Sequence, residues 1–259
     1  MSFPNYPEKH QSAAVLQAKD VLRNYLGRSD LVVPSSVILG YSTRLPSFLH
    51  QRGFHRVLGY PYPWHAMWLR DGAKSGEGLG VVEGFGIGAP SAALVLEELA
   101  TLGARTCINV GIAGALPKEL NFGDVVLCTS ALRDEGTSHH YLPPERYAFP
   151  SPALTARLKS ALIERGVSFR EGPTWTVDAI FRETFDEATA YRDEGVLTVE
   201  MEASAVFVVG AVREVEVAAL FAVSDHLLAD KQWKVAPSRD VVDGGLARVL
   251  DAAIATLTT

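Results

Sequence analysis

An α/β fold, with a largely parallel sheet covered by helices, is predicted by three observations. Short apolar runs rich in β-branched residues recur along the chain, several are followed by helical patterns, and 259 residues with 47% hydrophobic content suffice for one large core. One domain over residues 1–259 is expected. The strand-then-helix alternation is clearest where residues 90–102 and 204–213 each follow a strand, the arrangement that covers a parallel sheet on its faces.

Taken in order, residues 12–26 place Val15, Leu16, Val21, Leu22 and Leu26 close to helical spacing, and Gly27 follows as a stop. Strands are expected at residues 32–39, 79–82, 107–110, 125–128, 197–200 and 218–223. Residues 141–150, with three prolines, read as a long irregular excursion, either a surface loop or a functional one. No repeat or low-complexity segment interrupts the pattern.

A net charge of −6 offers no clustered basic footprint for nucleic acid or an anionic membrane, which points toward small-molecule chemistry. The two cysteines, Cys107 and Cys128, fall within apolar strand-like runs, and the amino terminus lacks a secretion pattern. A soluble protein of the reducing cytoplasm is expected. The longest apolar stretches, residues 196–212 and 215–223, are too short or too broken by glutamates to span a membrane. His139 and His140 follow Asp134 and Glu135 closely, but the spacing matches no standard ligand set, and no metal is expected.

Ligands of open α/β sheets lie beyond the carboxyl ends of the strands. Four such ends carry polar or glycine-rich sequence: Glu83-Gly-Phe-Gly-Ile-Gly88, Asn109-Val-Gly-Ile-Ala-Gly114, Glu200-Met-Glu202 and Ser224-Asp-His226. The first permits close backbone approach and could present amides to an anion where Pro90 and Ser91 open a helix. A dinucleotide fingerprint fits it poorly, because the third glycine comes one residue early and position 109 is not acidic. Asp225 ends an apolar strand, where partial burial should raise it above its reference value of about 3.9 and let it donate a proton; capping the next helix is the alternative. Glu200 and Glu202 stand in a run that otherwise reads as core, so each needs hydrogen-bond donors, from a ligand or from an arginine.

Six segments in order carry a resemblance that covers nearly the whole chain. They are Val37-Ile-Leu-Gly-Tyr-Ser-Thr-Arg44, Gly84-Phe-Gly-Ile-Gly-Ala-Pro-Ser91, Asn109-Val-Gly-Ile-Ala-Gly-Ala115, Gly123-Asp-Val-Val126, Val199-Glu-Met-Glu-Ala203 and Val223-Ser-Asp-His226. Together they resemble the nucleoside phosphorylase superfamily, which includes purine nucleoside phosphorylases, uridine phosphorylases and nucleosidases. The resemblance implies a three-layer α/β/α fold with a mixed central sheet, and dimers assembled into a larger homo-oligomer, commonly a hexamer. It implies phosphate as co-substrate and no cofactor.

The resemblance also assigns roles. Glu202 would accept from the ribose 2′ and 3′ hydroxyls, Met201 would pack on the sugar and Glu200 would lie beside base or sugar. Asp225 would deliver a proton to the departing base, assisted by Arg239. Phosphate would rest on the Gly40 backbone and Arg44, whose planar fork suits two oxygens at once. Arg52 or Arg56 is a candidate to reach a neighbouring subunit's phosphate, and His10 or His65 its ribose. Phe181 and Ile180, in a stretch resembling the strand Thr176-Val-Asp-Ala-Ile-Phe181, could stack on the base, although core packing is their default.

The chain departs from the phosphorylase pattern at Asn109-Val-Gly-Ile112, where those enzymes carry an arginine and a hydroxyl residue. Nucleosidases, which use water, also lack that arginine, so hydrolysis remains an alternative. The segment Leu132-Arg-Asp-Glu-Gly-Thr-Ser-His-His-Tyr141 is similar to one in uridine phosphorylases, and Arg133 could restore the charge or simply pair with Asp134 or Glu135. Asp225 favours a purine, because purines offer a protonatable N7. The expected activity is therefore phosphorolysis of a purine-preferring kind, with uridine phosphorolysis and hydrolysis as alternatives.

Overall fold

Continuous apolar runs such as Val37-Ile-Leu39 and residues 217–223 bury both of their faces, as strands at the centre of a covered sheet must. The computed structural model describes residues 6, 9–26, 32–57, 65–70, 77–229 and 232–258. The strands are β1 (Ser36–Gly40), β2 (Phe54–Val57), β3 (Ala66–Arg70), β4 (Leu79–Glu83), β5 (Thr106–Ala115), β6 (Val125–Arg133), β7 (Tyr147–Ala148), β8 (Phe169–Thr176), β9 (Thr198–Glu200), β10 (Glu216–Ala229) and β11 (Gln232–Val235). The helices are α1 (Ala18–Leu26), α2 (Leu45–His50), α3 (Ala89–Thr101), α4 (Pro152–Glu164), α5 (Phe185–Asp193), α6 (Ala203–Arg213) and α7 (Arg239–Thr258).

The sheet is mixed. Strands β4, β1, β5 and β10 run parallel side by side, β3 and β2 extend one edge antiparallel, and β11 folds back antiparallel on β10. Strand β10 also pairs with β6, β6 with β8, β8 with β9, and β9 with the end of β5 at Gly114↔Val199. These pairings close a ring of five strands at one end of the sheet. The ladder of β10 on β5 slips by one residue between Val223 and Asp225, so Asp225 faces Gly114.

Apolar side chains of α3 and α6 join one core cluster on one face, together with Leu22 of α1; those of α2, α4 and α7 join a second cluster on the other. The result is the expected three-layer α/β/α arrangement with a mixed central sheet. Helix α5 packs Ala188 over Trp175, Val177 and Val199 at the rim of the ring. No helix among the described residues is long and apolar enough to cross a membrane.

Four expectations are corrected. The first helix begins at Ala18 rather than near residue 12, and Val15 and Leu16 are exposed, so their spacing reflects no buried face. The first strand begins at Ser36 rather than at residue 32, because Pro34 has no amide to give a ladder. The excursion at residues 141–150 contributes a two-residue strand, with Ala148 paired to Ala131. Finally, β8 ends at Thr176, and residues 180–182 form a single 3₁₀ turn, so Ile180 and Phe181 are exposed instead of lying in a strand core.

Candidate active site

The carboxyl ends of β1, β5, β9 and β10 converge on one cavity of about 530 Å³. Its walls include Tyr41 and Ser42 after β1, residues 111–114 of β5, residues 199–202 around the end of β9, and Ser224 and Asp225 of β10. Ile180, Phe181, residues 183–185 and Ala188 cover it from α5 and the turn before it, and Trp233 of β11 closes one side. The cavity therefore sits where the physics of α/β sheets places ligands.

The two glutamates that stand in an otherwise apolar run find different donors. Glu200 accepts from the Thr176 hydroxyl at 2.6 Å and from the amides of Glu202 and Ala203 at 2.8 and 2.7 Å. It thus caps the amino terminus of α6 and ties that helix to β8, a favourable place for negative charge. Glu202 accepts from the Gly88 amide at 2.5 Å and lines the cavity. Gly88 has φ +96°, a backbone state that side-chain-bearing residues rarely adopt, and this turns its amide toward Glu202 at the start of α3. Neither glutamate is paired with an arginine among the described residues. Burial pushes both carboxyls upward, Glu200 further because of the charge of Glu202, while the donors around them act in the opposite sense.

Tyr41 adds to this end of the site. Its hydroxyl is buried, and its pKa is raised by burial first and then by the charges of Glu202, Cys107 and Glu200. The ring packs edge-on against Phe85 at 5.1 Å between centroids.

Asp225 is held from two sides. The Ser224 hydroxyl lies 2.5 Å from Oδ1 and 3.2 Å from the Ala113 carbonyl, and the Trp233 indole N–H donates to Oδ2 at 2.8 Å. Glu183 also lines the cavity, and burial, followed by the charges of Asp225 and Glu187, pushes it up to about 7. Four carboxyl groups thus share the cavity, and no lysine, arginine or histidine lines it among the described residues.

The sequence-predicted residues divide accordingly. Glu200, Met201, Glu202, Asp225, Ile180 and Phe181 line the cavity together. Gly40, Arg44, Arg133 and Arg239 do not. A side chain at Gly40 would lie 2.2 Å from Leu45 Cδ1, so this glycine permits the close packing of α2. Arg44, its side chain 55% exposed, binds Asp243 of α7 through Nε at 3.0 Å. Arg239 is exposed at the start of α7.

Arg133 ends β6 outside the cavity, with the charges of Glu135 and Glu145 acting on it. It is buried, and its guanidinium donates to the Ser138 hydroxyl at 2.9 Å, the Pro143 carbonyl at 2.9 Å and the Leu142 carbonyl at 3.2 Å, so it organises its own loop. Asn109 is buried within β5, whereas Ile112 opens onto the cavity. Arg52 binds Asp251 and Phe48 O, His10 bonds the His139 carbonyl, and His65 is buried 3.7 Å from Glu98.

Among the wall residues that sequence reasoning did not name as site residues are Tyr41, Trp233 and Glu183. Tyr41 directly follows a quoted motif glycine, and Trp233 lies in an alternating Gln-Trp-Lys-Val run eight positions after Asp225, which is a hairpin signal. Glu183 has no comparable signature, because only the turn at residues 180–182 brings it over the cavity.

Comparison with known proteins places this geometry in context. The profile of the phosphorylase superfamily matches residues 73–257. A guanosine phosphorylase of Halorubrum lacusprofundi is 34% identical over 147 residues, 57% of this chain and 61% of that protein. A uridine phosphorylase of Haemophilus influenzae is 34% identical over 49% of this chain and 56% of its own length, so the match spans less than two thirds of either relative. A DeoD-type purine nucleoside phosphorylase of Bacillus cereus is 30% identical over 67% of this chain and 74% of its own. In fold, the chain is similar to a purine nucleoside phosphorylase of Toxoplasma gondii, with a TM-score of 0.76 at 22% identity over 87% and 91% of the two chains. It is also similar to an AMP nucleosidase of Bacteroides thetaiotaomicron, with a TM-score of 0.69 at 23% identity over 92% and 97%.

Proposed function

The chain belongs to the phosphorylase superfamily, and from that premise we propose that it is a purine-preferring nucleoside phosphorylase, releasing free base and ribose 1-phosphate. The observation that carries this is the meeting of Glu202 and Asp225 in one cavity of nucleoside size. Breaking the C1′ to N bond builds positive charge on the sugar and negative charge on the departing base. Glu202 accepts from the ribose hydroxyls and places negative charge near the developing cation. Asp225 protonates the base at N7, which lowers the barrier to its departure. Met201 packs on the sugar, Ile180 and Phe181 cover the base, and Glu183 is placed to accept from base N–H groups.

Phosphate is the attacking group in this proposal, bound by the backbone at Gly40 and by Arg44. Arg44 follows Ser42 of the cavity wall by two residues, and its exposed pairing with Asp243 contributes at most about 1 kcal/mol, so little opposes its turning inward. Arg239 is the proposed assistant to Asp225 on the same terms. The assembly that goes with this function is a homo-oligomer of dimers, commonly a hexamer, in the cytoplasm.

One observation favours a second reading, hydrolysis by a nucleosidase. Four carboxyls and no lining cation among the described residues make the cavity a poor host for a phosphate dianion and an adequate one for water. Incubating inosine, guanosine, adenosine and uridine with and without phosphate, and measuring free base and ribose 1-phosphate, separates the two. Phosphate-dependent ribose 1-phosphate from a purine nucleoside is the expected result; base release indifferent to phosphate would replace it with hydrolysis.

A further inference from the structure

Both oxygens of Asp225 are already engaged, and the donor on Oδ2 comes from an unusual place. Trp233 lies on β11, an edge strand exposed at every position and, among the described residues, paired only with β10. Trp233 is 66% exposed, whereas the other described tryptophans, Trp68 and Trp175, are 8% and 0% exposed. A large apolar ring left in solvent gains little from burial, so its N–H bond to Asp225 is a main tie to the cavity wall.

Proton bookkeeping at Asp225 makes this tie consequential. Ser224 has one hydroxyl proton and two acceptors in reach, Asp225 Oδ1 and the Ala113 carbonyl. When that proton goes to Ala113, the Ser224 oxygen can accept a proton carried on Oδ1. Oδ2 has no such partner; with the indole on it, Oδ2 is an acceptor and cannot offer a proton outward.

We propose that Trp233 is a positioning residue that holds Asp225 in the empty site and is exchanged for the base as a nucleoside enters. This rests on the function proposed above, in which Asp225 meets the base. Once the indole leaves, the carboxylic acid turns about its Cβ–Cγ bond so that the protonated oxygen faces the base while the Ser224 hydroxyl swings from Ala113 to the other oxygen, and the proton passes to N7 as the electron pair of the glycosidic bond passes to the base. The carboxylate that remains is a stronger acceptor than the acid was, so the indole returns to it as the free base leaves, and the proton shed by the phosphate once it is bonded to C1′ restores the acid through solvent. Substrate and indole therefore compete for the outward-facing position of one carboxyl group.

The test compares wild type with Trp233→Phe, which keeps an aromatic ring and removes the donor, using whichever of inosine and guanosine wild type cleaves faster. The nucleoside KM is expected to fall by about threefold or more in the variant, with the phosphate KM unchanged. The wild-type minus variant difference in tryptophan fluorescence, which isolates Trp233, is expected to change at saturating nucleoside. A nucleoside KM that is unchanged or raised, or a fluorescence difference indifferent to nucleoside, overturns the exchange while leaving the proposed function standing. Failure of wild type to cleave either nucleoside defeats both.

Discussion

The two ends of the proposed reaction path are built differently. At the sugar and base end, Glu200, Glu202 and Asp225 are fixed by backbone amides, hydroxyls and an indole at strand ends. At the phosphate end, Arg44 and Arg133 are bound to partners outside the cavity. The difference teaches that short carboxylates at strand ends take their position from the sheet itself. Long cationic side chains take theirs from whatever acceptor is near, and only a ligand or a neighbouring chain can draw them in.

That contrast can be broken most forcefully at Asp225. Asp225→Asn is expected to lower purine nucleoside turnover by roughly 10²-fold or more, with an unchanged melting midpoint; equal turnover would remove its role as acid. Glu202→Gln should lower kcat/KM by about tenfold to a hundredfold, whereas Glu200→Gln should act chiefly on stability, by about 1–3 kcal/mol in denaturant unfolding, because its donors are structural. If Glu200→Gln leaves stability intact and abolishes ribose binding, the division drawn between the two glutamates is wrong.

Smaller effects sharpen the phosphate end. Arg44→Ala should raise the phosphate KM by about tenfold, while Arg133→Ala leaves it unchanged and lowers the melting midpoint through its loop. Steady-state kinetics at varied phosphate distinguishes them, and the reverse pattern would make Arg133 the phosphate ligand. The mildest expectation concerns pH. Glu183 rises from an ordinary 4.5 to about 7 in the fold, so the folded state favours its neutral form. Its contribution to stability is whole below pH 4.5 and is lost as pH rises through about 7. The melting midpoint of the substrate-free protein should fall across that window, and Glu183→Gln should flatten part of the fall.

Much of the sheet was legible because its central strands are continuous apolar runs; residues 107–110, 125–128 and 218–223 all fall inside observed strands. The edge strands β2 and β11 escaped notice, as did β3 beside β2, since β2 and β11 carry polar residues and β11 is exposed throughout. The ring of strands could not be read locally: it depends on the β5 to β9 and β10 to β6 pairings, which join residues far apart in the chain. In the site, Glu202 and Asp225 were visible as acids at the ends of apolar runs. Trp233 was not, because its contact with Asp225 is a side-chain bond across a hairpin, and the carbonyls around Arg133 are set by a loop fold that the sequence of the segment does not reveal.

The single slipped rung between Val223 and Asp225 has a reach beyond the ladder. In an unbroken strand, neighbouring side chains point to opposite faces, so a serine and an aspartate in succession would be separated by the thickness of the sheet. The extra residue lets both open onto the same chamber and touch each other. Shortening that strand by one residue would therefore rotate the acid away from its serine neighbour without altering the chemistry of either side chain, and the dipeptide works as a pair only because the strand miscounts there.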